Sequence, residues 1–206
     1  MLYDANVERG QFASGIITLY NENNQQILKK EGVLDLNKVK LDDRCDYFIG
    51  HVQAPTSVKR SWSFDTSHPF EAISWAVVHN GVLTNWKEIR AKHPDWDVSP
   101  VDTSVIPNLL QFYTETQSDL TQSQVIKKVL TEIEGTFAVC IVDTDCNDVY
   151  IARQGSVLHY NEQGEFCTLG GNGFKMLPEG IILRLRDYKH WDVVETFEVK
   201  SPFVFI

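Results

Sequence analysis

Asn80 and Gly81 are the residues of this chain best suited to stabilising an oxyanion. They stand in Trp75-Ala-Val-Val-His-Asn-Gly-Val-Leu-Thr-Asn-Trp-Lys-Glu-Ile-Arg90, at the end of a short apolar run. An Asn amide and a Gly backbone N–H presented together supply the two donors that a developing negative oxygen needs. Asn-Gly is also the commonest tight-turn pair, because both residues tolerate positive φ. On that dipeptide alone, an ordinary strand–turn connection is the better reading. Other groups are less suggestive. No Ser–His–Asp or Cys–His spacing supports a nucleophile, and His68 reads as a loop hydrogen-bonder. Cys45, Cys140, Cys146 and Cys167 lack paired metal spacing, so neither a metal nor a cofactor is expected. Cys140, in an apolar run, reads as core.

The elements that must position these groups follow from pattern and punctuation. Residues 75–78 are too short a run for a buried helix and suit a buried strand. Asn85, with Glu88 three residues on, predicts an N-cap and a helix over 86–92, stopped by Pro94. The expected layout is therefore strand, Asn-Gly corner, helix. Residues 14–20 and 25–30 read as a hairpin around the turn at 21–24, and 46–52 as a further strand. Asp102 predicts an N-cap for a helix with the apolar stripe Val105, Leu109 and Phe112; Pro107 is tolerable in its first turn. Thr121-Gln-Ser-Gln124 reads as a capping box for a helix running to Gly135. Strands are expected at 136–142, 149–152, near 178–185 and at 191–199. Gly170-Gly-Asn-Gly173 is a turn and not a phosphate loop, since no Lys-Ser/Thr follows.

Composition narrows the function classes. The chain has 206 residues, 43% hydrophobic and 23% charged, enough for a sizeable core in one domain. Five Trp, seven Tyr and eleven Phe favour a β-rich interior. A formal charge of −9 argues against nucleic acid or an anionic membrane as partner. No run is long enough to span a bilayer and no signal-peptide pattern is present. A reduced, cytoplasmic setting is the simplest expectation.

The string His-Asn-Gly-Val-Leu-Thr-Asn at 79–85, with Glu-Ile-Arg at 88–90, resembles the oxyanion segment of the class II glutamine amidotransferases, the N-terminal-nucleophile glutaminase domains. Further segments resemble that family in the same order. They are Glu8-Arg-Gly with Ala13-Ser-Gly-Ile16, Gly50-His-Val-Gln-Ala-Pro-Thr56, Ser67-His-Pro-Phe70, Asp102-Thr-Ser, Gly135-Thr-Phe-Ala with Ala152-Arg-Gln-Gly-Ser-Val-Leu158, and the Pro-Gly-containing stretch from Pro178 to Leu185. The resemblance implies an α+β fold, a four-layer αββα sandwich of two antiparallel sheets. It implies Asn80 and Gly81 as oxyanion donors, with Gln53, Thr56, His79 and Asp102 around a bound glutamine or another amide. Asp102 takes the ligand's amino group in that picture, a role compatible with capping a helix. One departure bears on chemistry. Gln53 stands where the family has an Arg that pairs with the substrate carboxylate, and a neutral amide cannot replace a bidentate ion pair. An Arg restored at 53 is expected to tighten glutamine binding. Ser104 replaces the usual Glu, and 170–173 lacks the family's Ser-rich stretch.

The family's first strand, which opens with the nucleophilic Cys, has no counterpart here, and the chain starts on Met1-Leu2. Three readings meet that observation: a pseudoenzyme that kept the fold, a fragment of an active amidotransferase, or a structural or interaction module on a remotely similar fold. Gln53 favours altered chemistry. The expectation is one domain over 1–206 without the family's N-terminal strand, with 186–206 as a C-terminal extension. The apolar end, Ser201-Pro-Phe-Val-Phe-Ile206, is expected to fill the vacated strand position or to dock on a partner subunit, giving an oligomer.

Overall fold

The computed structural model describes residues 6–20, 24–39, 44–54, 62–96 and 99–200. Strands β1 (Ala13–Tyr20), β2 (Asn24–Glu31) and β3 (Cys45–Gln53) form an antiparallel sheet in the order β2-β1-β3. A larger antiparallel sheet combines β4 (Phe70–Ala72), β5 (Trp75–Leu83), β6 (Gly135–Asp143), β7 (Asp148–Gln154), β11 (Ile181–Arg186) and β12 (His190–Thr196). Its order is β12-β11-β7-β6-β5-β4. Three short strands, β8 (His159–Tyr160), β9 (Phe166–Cys167) and β10 (Lys175–Met176), pair as β10-β8-β9. Helices α1 (Trp86–Lys92), α2 (Val105–Thr116) and α3 (Gln122–Glu132) complete an α+β sandwich.

Both faces of the larger sheet are buried, which explains why β5 to β7 read as unbroken apolar runs. Successive side chains point to opposite faces. Trp75 and Val77 of β5, with Phe137, Val139 and Ile141 of β6, pack with Leu109, Val129 and other helix residues. Ala76 and Val78, with Ala138, Cys140 and Val142, pack instead with Ile17, Leu19 and Ile49 of the smaller sheet. Each fully buried Val, Ile, Leu or Phe contributes roughly 1.5–3 kcal/mol. The start of α3 is fixed as its sequence predicts. Thr121 accepts from the Gln124 backbone N–H, and Gln124 answers with Oε1 to the Thr121 N–H.

Three local expectations are corrected. Asn80-Gly81 is not a turn. β5 runs through it, with Asn80 opposite Ala138 and Gly81 opposite Phe137, because pairing with β6 along the whole of β5 outweighs the turn preference of the dipeptide. Asn85 precedes α1 but makes no capping bond there. Its side chain donates to the Glu132 carbonyl at 3.0 Å and accepts from the Glu134 N–H at 2.9 Å, tying the α3–β6 connection to the end of β5. Asp102 opens a 3-10 turn (Asp102–Ser104) ahead of α2 and does not cap that helix with its side chain.

Residues 190–196, within the expected C-terminal extension, form β12 against β11, and Phe197, which follows, lies beside Phe137 in the core. Residues 201–206 and Thr56 lie outside the described residues.

Candidate functional site

A cavity of about 540 Å³ lies between the two facing sheets, within the range of about 300–1,000 Å³ usual for ligand sites. Five of the six residues singled out from the sequence border it: Gln53, His79, Asn80, Gly81 and Asp102. They come from β3, β5 and the 3-10 turn before α2, elements far apart in the chain.

Asn80 continues the β5 face of Ala76 and Val78 and is exposed. Gly81 is required by close approach. A Cβ there would lie 2.0 Å from the Thr136 carbonyl oxygen and 2.8 Å from His79 Nε2. His79, on the other face, is buried and anchored at both nitrogens. Nε2 is 3.2 Å from the Thr136 carbonyl and Nδ1 is 2.9 Å from Thr103 Oγ1. Since a carbonyl only accepts, Nε2 carries the hydrogen. Burial holds the ring's pKa down, against the opposing charge of Asp102. The neutral ring therefore offers Nδ1 as an acceptor, and the Thr103 hydroxyl donates to it.

Thr103 is the centre of a buried network. Its oxygen also meets His68 Nε2 at 3.2 Å, and His68 Nδ1 lies 3.2 Å from Gln53 Oε1. Gln53 is only 6% exposed, so its amide is turned inward to His68 and not held out to a ligand. Asp102 likewise works on backbone: Oδ1 accepts from the Thr103 N–H and Oδ2 from the Leu83 N–H, each at 2.8 Å. Those bonds fix the turn against the end of β5. A carboxylate has about four acceptor sites, so capacity remains for a ligand cation.

His51 was not singled out from the sequence, although alternation along β3 places it on the face of Ile49 and Gln53. Its ring stacks on His68 with centroids 4.1 Å apart. Burial pushes its pKa down to about 4, and Nδ1 is shielded from solvent with no hydrogen-bond partner among the described residues. Thr103 was missed as well. A Thr beside a candidate Asp has no sequence signal of its own, and only the tertiary fold brings two histidines to its hydroxyl. Replacing Thr103 with Ala leaves buried imidazole nitrogens unsatisfied and is expected to cost about 1–3 kcal/mol in urea unfolding. Thr103→Ser should remain near the parent; a Ser variant as weak as the Ala variant would point to packing of the methyl group instead.

Two thiols, Cys140 and Cys167, also border the cavity, and burial raises the Cys140 pKa far above the ordinary thiol value. Among the described residues there is no cluster of three or more His, Cys, Asp or Glu side chains able to hold a metal. No described helix is long and apolar enough to cross a membrane.

The sequence profile of the glutamine amidotransferase domain matches residues 65–169. Glutamine–fructose-6-phosphate aminotransferase (isomerizing) of Listeria innocua is 29% identical over 179 residues, covering 83% of this chain and 29% of that protein. The enzyme of the same name from Staphylococcus aureus is 26% identical, with 96% of this chain and 33% of that protein covered. The chain thus spans about a third of the length of these curated relatives. Among solved structures, glutamine phosphoribosylpyrophosphate amidotransferase from B. subtilis superposes with a TM-score of 0.71 at 20% identity, over 94% of this chain and 45% of that one.

Proposed function

The chain belongs to the glutamine amidotransferase domain family, and from that membership we propose that its inter-sheet cavity binds a carboxamide, glutamine being the first candidate. Asn80 and Gly81 are the donors toward the carboxamide oxygen. Asp102 receives the ligand's ammonium group with the acceptor capacity its two backbone bonds leave. His79 and Thr103 hold the β5 segment and the 3-10 turn in place. The observation that carries this reading is the convergence of Gln53, His79, Asn80, Gly81 and Asp102 on one cavity from three separate elements.

Binding is proposed without hydrolysis by this chain. Amide hydrolysis needs a nucleophile activated by a base or by a lowered pKa. Cys140, a cavity thiol, is shifted the other way by burial and stays protonated. Affinity for glutamine is expected to be low, because Gln53 offers its carboxylate no guanidinium and is occupied by His68. Losing a charge-assisted bidentate contact costs on the order of 1.5–3 kcal/mol, roughly tenfold to a hundredfold in affinity.

The test is to incubate the purified chain with glutamine, measure ammonia, and titrate glutamine by calorimetry. Ammonia at the background rate with weak, saturable binding that Asn80→Ala reduces is the expected result. Turnover abolished by Asn80→Ala would overturn the non-hydrolytic reading. Absence of binding by glutamine and by simple carboxamides would overturn the site itself.

A further inference from the structure

Four side chains and one backbone carbonyl form a continuous row of contacts beside the cavity. Gln53 Oε1 lies 3.2 Å from His68 Nδ1, and His68 Nε2 lies 3.2 Å from Thr103 Oγ1. Thr103 Oγ1 is 2.9 Å from His79 Nδ1, and His79 Nε2 is 3.2 Å from the Thr136 carbonyl. Both ends of the row accept and neither donates. Thr136 offers a carbonyl oxygen. Gln53 presents its oxygen too, because the His68 backbone N–H donates to the same atom at 3.5 Å.

The hydrogens along the row can be counted. Its four contacts need four hydrogens, one each. One hydroxyl and two neutral imidazoles supply three. The fourth is a proton beyond the neutral complement, so one ring is positively charged. Burial holds the His79 pKa down, which leaves that ring neutral and draws the Thr103 hydrogen to its Nδ1. His68 must then donate from both nitrogens. Thr103 Oγ1 also lies 3.4 Å from Asp102 Oδ1, and a hydrogen spent there would raise the number of protons required.

We propose that His68 is an imidazolium at neutral pH and acts as a positioning residue, its charged Nδ1–H keeping the Gln53 amide turned away from the cavity. Hydrogen bonds from a charged donor are roughly twice as strong as neutral ones, and His68 makes two. Among the described residues, the titratable groups that face the ring are His51 on β3, His79 on β5 and Asp102 in the 3-10 turn. His51, stacked at 4.1 Å, is neutral with its pKa at about 4 and adds no repulsion. Asp102 stands one hydroxyl away through Thr103, and a nearby opposite charge favours the protonated ring. β1 meets the His68 carbonyl at Gly15, which has no side chain, and β4 contributes the uncharged Phe70, 4.9 Å from the ring. The hold on Gln53 does not depend on which ligand the cavity takes.

Nitrogen-15 NMR of the histidine rings in the full, isotope-labelled chain tests it. At pH 7.5 an ordinary histidine, with a pKa of about 6.5, is mostly neutral. His68 should nevertheless show two protonated nitrogens, and His79 a protonated Nε2 with a bare Nδ1. A bare nitrogen on His68 overturns the proposal, and this outcome leaves the amide-binding reading standing. Gln53→Met removes the terminal acceptor at similar size. Three hydrogens then suffice, and the proton affinity of His68 should fall about tenfold or more. Gln53→Glu keeps an acceptor and should keep both ring protons. An imidazolium unchanged by Gln53→Met, or lost in Gln53→Glu, would show that His68 does not hold Gln53 by its charge. Should Gln53→Met not fold, the parent spectrum and Gln53→Glu decide.

Discussion

A Gly81→Ala protein will be less stable than the parent by about 4 kcal/mol or more, an unusually large loss for adding one methyl group. Gly81 has φ 151°, and the added Cβ would sit 2.0 Å from the Thr136 carbonyl oxygen and 2.7 Å from its carbon. Those atoms are backbone of β6, fixed by the pairing of Gly81 with Phe137 and Val82 with Thr136. Relief requires parting two central strands of the six-stranded sheet. Overpacking costs typically about 1–3 kcal/mol and an unfavourable φ adds about 1–3 more. Asn80→Ala is the control. Its side chain is exposed, so stability should stay within about 0.5 kcal/mol of the parent. Urea unfolding of both variants checks this pair. A Gly81→Ala protein within about 1 kcal/mol of the parent would show that β5 does not approach β6 this closely.

Acid will weaken the fold through His51 before general acid denaturation sets in. Burial is the main cause of its lowered pKa, with the His79 carbonyl opposing and the His79 ring adding to the shift. In the unfolded chain His51 has an ordinary pKa near 6.5; in the folded chain it is about 4. Between those values the unfolded chain binds a proton that the folded chain does not. The His51 contribution is therefore fully present above about pH 6.5 and is lost as pH falls toward about 4. At about 1.4 kcal/mol per pH unit, the loss approaches about 3 kcal/mol. His79 is shifted in the same direction by burial and adds to the same slope. A His51→Gln protein, compared with the parent by urea unfolding between pH 7.5 and pH 4, should lose about 3 kcal/mol less over that interval. The comparison cancels the carboxylates common to both proteins. Equal losses would show that His51 reaches water in the folded state.

The strands and helices were largely legible because their causes are local. Thr121 and Gln124 specify a helix start by reaching each other's backbone within one turn, and no distant residue is needed. The runs at 75–78 and 136–142 announce burial on both faces, and β5 and β6 are buried on both. Where local preference met a longer-range demand, the sequence misled. Asn80-Gly81 has every local reason to turn, yet hydrogen bonding with β6 on one side keeps it extended. Asn85 and Asp102 both have capping side chains, and each is taken by backbone from another element: Glu132 and Glu134 for Asn85, Leu83 for Asp102.

By itself the sequence determined the fold family and the short set of polar residues worth testing, since ordered motifs carry both. Only the tertiary structure decided how those residues are used. It turned Gln53 inward to His68, hung two histidines on the Thr103 hydroxyl, and stacked His51 where its proton is costly to hold. It also brought β3, β5 and β9 to the walls of a common cavity. The physical reason is range. Capping, turn chemistry and alternation act over a few residues, whereas a buried hydrogen bond or a shifted pKa depends on whatever the packed chain brings within about 4 Å.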